Sequence, residues 1–138
     1  MKKITLSILF LLAANTASAQ GQHVLHAFYF FNVTNPAGVV AAMDKFKSSS
    51  CGSQMPADVG LMAETINGSA SSTHFFIASY ETMADFSDAQ DLTQTCADAA
   101  TFRQEMASAA TPVTEYAIIP AIEVGDWTQD SVFMKFDM

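Results

Sequence analysis

The stretch that most limits what this chain can become is Thr73 to Tyr80, THFFIASY. Successive side chains of a strand point to opposite sides. One face would carry His74, Phe76, Ala78 and Tyr80, the other Thr73, Phe75, Ile77 and Ser79. A surface strand should read polar on one side, and this one does not, so it reads as a strand buried on both faces. Val24 to Val33, VLHAFYFFNV, has the same character. Phe28 and Phe30 fall on one side, and Tyr29, Phe31 and Val33 on the other. Its aromatic and β-branched content also favours a strand.

The rest of the chain arranges itself around these two. Asn35-Pro36 marks a helix start, because Asn caps free amides and Pro suits the first turn. Val39, Met43 and Phe46 then recur at helical spacing, and the serines from Ser48 with Gly52-Ser53 end the helix. Asp58 to Ile66 reads as a second extended run, closed by the turn signal Asn67-Gly68-Ser69. Thr82 to Asp85 has the form of a capping box with Asp in place of Glu. After a break at Thr93 to Cys96, a further helix is expected from about Ala97 to Ala109, ended by Pro112. The last main strand is expected over Val113 to Val124, with Pro120 marking an edge or a bulge. Val132 to Phe136 is a candidate for a short terminal strand.

The resulting order is strand, helix, strand, strand, helix, strand. That is the split βαβ, ferredoxin-like α+β plan: a four-stranded antiparallel sheet with its helices on one face. The second apolar side of the sheet would then show more aromatic surface than the few hundred Å² usual for a soluble monomer. At about 25 cal/mol per Å², covering it is worth several kcal/mol. The economical cover is a second copy, sheet facing sheet, in a two-fold homodimer.

This arrangement resembles the dimeric α/β-barrel superfamily, including its antibiotic-biosynthesis-monooxygenase-like and stress-responsive barrel families. The residues behind the resemblance are the strand-to-helix junctions FFNVTNPAGVVAAM and FIASYETMADF. It covers nearly all of the chain after the leader. The resemblance implies ligand binding or small-molecule chemistry in a cavity between helices and sheet. Members include cofactor-free oxygenases, haem-degrading enzymes and proteins with no known activity. No residue set here matches one of those activities, so no catalytic residue carries over.

The chain opens with Met1-Lys2-Lys3, an apolar run from Ile4 to Ala14, and Ala17-Ser18-Ala19. A basic start, a short apolar core and an A-x-A pattern make a secretory signal peptide over residues 1–19. The run is too short to span a bilayer. The expected organisation is therefore a leader, one domain over residues 20–126, and a tail over residues 127–138. Export places the protein in the periplasm or outside the cell. Losing Lys2 and Lys3 leaves four basic residues against 14 acidic ones, taking the formal charge from −8 to −10. Such a surface repels phosphate backbones and anionic membranes, which disfavours nucleic-acid binding. In an oxidising compartment, Cys51 and Cys96 suggest a disulfide. It would close a loop of about 45 residues, for roughly 4 kcal/mol in the chain-entropy model. A metal-binding or catalytic thiol pair would need near spacing or a local His, and has neither.

Five polar residues on apolar strands are the candidate ligand-binding set: His26, Asn32, His74, Tyr80 and Tyr116. Four of them, His26, Asn32, His74 and Tyr80, share even numbering, which suggests one shared sheet face. Histidine moves protons and binds metals or haem, and tyrosine donates a hydrogen bond. The plainer reading is that each sits half wet with its polar tip satisfied. No motif implies a cofactor. Two histidines with Glu64 or Glu115 would make a metal site, without the short spacing such sites usually show. Three readings follow: a small exported dimer that binds a small apolar or aromatic molecule, a non-enzymatic assembly protein, and a haem- or metal-binding protein acting through His26 and His74.

Overall fold

A computed structural model of the protein describes residues 23–122, 125, 127–130, 132 and 134. The chain runs β1 (Leu25–Val33), α1 (Pro36–Lys47), β2 (Asp58–Ala63), β3 (His74–Tyr80), α2 (Met83–Thr95), α3 (Ala97–Ala109) and β4 (Ala110–Ile118). The strands form one sheet in the order β2-β3-β1-β4, and every neighbouring pair is antiparallel. The doubly apolar strands β1 and β3 lie side by side at its centre. This is the ferredoxin-like α+β plan expected from the sequence. The leader expected at residues 1–19 lies outside the described residues. So does most of the expected terminal strand, while Val132 and Met134 are in no strand.

The local signals act as their chemistry dictates. The Asn35 side chain accepts a hydrogen bond from the Gly38 amide at 3.0 Å, with Pro36 opening α1. At the start of α2 the Asp85 amide donates to Thr82 Oγ1 at 3.1 Å, and the Thr82 amide donates to Asp85 Oδ2 at 2.9 Å. The break between α2 and α3 is the single extended residue Cys96, which ends one helix and begins the next. A disulfide joins Cys96 to Cys51, just beyond α1, with Cα atoms 6.6 Å apart. It ties the joint between the last two helices to the segment leaving the first.

The last strand differs from expectation. It begins at Ala110, directly after α3, and ends at Ile118. Pro112 therefore lies inside the strand instead of before it. It can do so because β4 is an edge, where a missing amide goes unnoticed, and because the register against β1 shifts between Phe30 and Phe31. The bulge expected at Pro120 belongs here.

Two apolar clusters hold the helices on the sheet. One groups Val39, Ala42, Phe76, Met106, Ala109 and Ala110; the other groups Leu25, Ala27, Ala78, Tyr80 and Ala89. The opposite face carries an aromatic layer. Phe28 and Phe30 each lie within 5.2–6.4 Å, centroid to centroid, of the Phe75 and Tyr116 rings and of one another. This outer layer is not bare in a single chain. Phe30 and Ile77 are 9% and 7% exposed. Trp127 crosses back over the β2 side, where a Cβ added at Gly60 would stand 3.2 Å from its ring.

Candidate functional site

The sheet face under the helices supports a wide cavity of about 1290 Å³. Its origin is the size of the side chains that meet there. Ala78 of β3, Ala89 of α2 and Ala99 of α3 all line it, and all are buried. Interiors usually close to crystal-like density, and alanines at these positions of sheet and helices contribute little volume to the layer between them. Larger apolar groups form the walls. Phe31 meets Phe76 edge-on at 5.7 Å. Phe46 of α1 stacks on Phe102 of α3 at 5.1 Å. Met43, Met55 and Met106 complete an adaptable lining.

Two phenols reach into this space, from Tyr29 of β1 and Tyr80 of β3. In the register of the central pair, Tyr29 lies opposite Phe76 and Tyr80 opposite Leu25, with Ala27 opposite Ala78 between them. That alanine pair leaves room for the two phenols to interact across it. Tyr80 is 3% exposed and its ring meets Phe86 edge-on at 5.3 Å. Burial raises the Tyr80 hydroxyl well above the ordinary tyrosine range, and the charge and hydrogen bond of Tyr29 push in the same direction. Tyr80 therefore keeps its proton throughout the physiological range. Its one proton is engaged with Tyr29, and it is unsuited to act as a base.

Of the five polar strand residues singled out in the sequence, only Tyr80 lines the cavity. The expectation that His26, Asn32, His74 and Tyr80 share one face is overturned by the register. His26 pairs with Ser79 and Phe31 with His74, so even positions of β1 face odd positions of β3. His26 and Asn32 point to the outer side, and His74 and Tyr80 to the helix side. A haem or metal held jointly by His26 and His74 is excluded by the same geometry. His26 is buried, with Nδ1 2.6 Å from Ser79 Oγ. His74 Nδ1 lies 2.9 Å from Thr73 Oγ1. Asn32 is exposed, and Tyr116 stacks on Phe28 at 5.3 Å. Among the described residues, the one cluster with metal-ligand spacing is Cys51, Cys96 and Asp98, and its two sulfurs are already bonded to each other.

Sequence reasoning missed Tyr29, which it treated as one more aromatic of an apolar strand. It also missed the two cations that line the cavity, Lys47 and Arg103. The available signal was their rarity in so acidic a chain.

No protein-family model matches the chain, and no curated protein does. Solved structures do share its fold. SnoaB, a cofactor-independent oxygenase from Streptomyces nogalater, aligns with a TM-score of 0.55 over 76% of this chain and all of its own, at 11% identity. A dimeric ferredoxin-like protein from an uncultured marine organism aligns with a TM-score of 0.51, over 72% of this chain and 97% of its own, at 15% identity. The fold is thus ferredoxin-like, in agreement with the plan read from the order of strands and helices. No helix among the described residues is long and apolar enough to cross a membrane, and the disulfide fits an oxidising compartment.

Proposed function

We propose that this protein is exported, pairs with a second copy of itself, and binds a small apolar or aromatic molecule between its helices and its sheet. The observation that carries the reading is the cavity: about 1290 Å³, walled by aromatic rings and methionines, with a protonated phenol inside. Ligand sites are concave, mostly apolar, and hold a few placed polar groups that fix orientation. Here Tyr29 and Tyr80 are those groups. SnoaB is an oxygenase that needs no cofactor, and a ligand oriented by phenols in an apolar-walled cavity is compatible with chemistry of that kind. The residues themselves carry the reading as far as binding.

Pairing is supported by apolar side chains left open to water at the end of β4 and along the tail. Ile118 at the end of β4 is 44% exposed, and Ile119 and Ile122 beyond it are 72% and 84% exposed. Val132 and Met134 of the tail are each 80% exposed. Removing such groups from water favours association at about 25 cal/mol per Å².

Native mass spectrometry of the protein purified from its own host tests both parts together, because it reports copy number and retained ligand at once. The expected species is a dimer that carries extra mass, released as an apolar organic molecule on denaturation. A strictly monomeric species at high concentration overturns the pairing. A cavity that stays empty of every apolar compound offered overturns the binding.

A further inference from the structure

We infer that the ligand is an amphiphilic anion, an apolar or aromatic body bearing a carboxylate that docks between Lys47 and Arg103. The inference rests on the cavity being a binding site. Beyond residue 20 the chain has four Lys and Arg residues, Lys45, Lys47, Arg103 and Lys135, against 14 acidic ones. Two of those four, Lys47 and Arg103, line the cavity. Both are exposed at its rim, each directly after a ring of the aromatic pair. Phe46 and Phe102 stack at 5.1 Å, and Lys47 and Arg103 are the next residues along α1 and α3. An aromatic pair flanked by two cations offers an apolar body one surface and its acidic end another.

Each cation has a plainer structural role to weigh. Lys47 sits in the last turn of α1, where a positive charge suits the helix dipole. Lys45 is in the same turn and is paired with Glu105; Lys47 makes no ion pair among the described residues, so its charge is open to a ligand. Arg103 donates Nη1 to the Thr93 carbonyl at the end of α2. That bond fixes the guanidinium beside the cavity, since Thr93 lines it too. Four of the five guanidinium N–H donors remain for a carboxylate. The acidic side chain on the lining, Asp58, is engaged by His23 Nε2 at 3.0 Å. The overall negative charge repels anions at long range, so binding of an anion here must come from these two local cations.

The test is calorimetric titration of the full-length exported protein with 2-naphthoate and its neutral near-isostere 2-naphthamide. The carboxylate is expected to bind about ten-fold tighter, the scale of one charge-assisted contact. The advantage should shrink as salt is raised. Lys47→Gln and Arg103→Gln should each weaken naphthoate several-fold and leave the amide unchanged, with circular dichroism confirming that α2 is intact. Equal affinity for the two compounds, or equal loss of both in the variants, overturns the anion inference and leaves the cavity reading standing. Failure of both compounds to bind overturns the cavity reading and this inference with it.

Discussion

Replacing Ala89 by Leu asks whether the space under the helices exists. Ala89 is 2% exposed, sits on α2 and lines the cavity. Leucine and alanine have similar helix propensities, so the backbone of α2 contributes little to the difference. Three added carbons, at about 0.8 kcal/mol for each buried methylene, amount to roughly 2.4 kcal/mol. Ordering the new side chain offsets about 0.5–1 kcal/mol of that. The expected result is a net gain of about 1.5 kcal/mol. Ala42→Leu is the control. Ala42 is 3% exposed on α1 and belongs to the close-packed cluster with Val39 and Phe76. It does not line the cavity, and forcing extra carbons into a packed site typically costs about 1–3 kcal/mol. Urea denaturation followed by circular dichroism measures both variants, with unchanged slopes confirming that the transitions are comparable. Opposite signs support the cavity. A loss of 1 kcal/mol or more at Ala89, on the order seen in overpacked cores, would refute the reasoning, because it would mean that α2 already rests on the sheet.

Removing the disulfide with Cys51→Ala and Cys96→Ala should lower stability by roughly 4 kcal/mol, from the entropy of a loop of about 45 residues; urea midpoints with and without the bond measure it, and a change under about 1 kcal/mol contradicts the constraint. Tyr80 sets an alkaline limit. Its proton is held more tightly in the folded state than in the unfolded state, so the unfolded chain loses that proton first. Its contribution is complete below about pH 10, and above that stability falls by up to about 1.4 kcal/mol per pH unit. Tyr80→Phe should flatten that decline by one proton's worth in urea titrations at pH 9–11. An unchanged slope would show that the phenol is not buried as described.

The element order was legible because each signal is local. Asn35-Pro36 and the Thr82–Asp85 box name helix starts through hydrogen bonds made within three residues. The run THFFIASY, apolar and aromatic on both sides, names a buried strand by itself. Register is not local. Equal parity in two strands says nothing about a shared face until the pairing register is known, which is why His26 and His74 part company. Pro112 misled for a related reason. A proline is a strong stop in a central strand and a weak one at an edge, and which strand is the edge is a property of the finished sheet. The cavity was the least legible feature. It depends on Ala78, Ala89 and Ala99, which come from three elements, and alanine in a helix reads as simple propensity.

The doubly apolar strands turn out to answer two separate demands. On the helix side, Tyr29, Phe31 and Phe76 wall a space that the small residues leave open. On the outer side, Phe28, Phe30, Phe75 and Tyr116 stack against one another, and the chain's own Trp127 shields the β2 edge. Apolar character on both faces is therefore a weaker argument for a partner than it looks in the sequence, since Phe30 and Ile77 are buried before any second copy arrives. The stronger argument comes from residues the strand pattern did not feature. Ile119, Ile122, Val132 and Met134 remain in water at the end of β4 and along the tail. A partner that covers Ile118 and Ile119 would approach the end of β4. The cavity and the outer aromatic layer lie on opposite faces of one sheet and share its central strands, as where Tyr29 of β1 sits between Phe28 and Phe30.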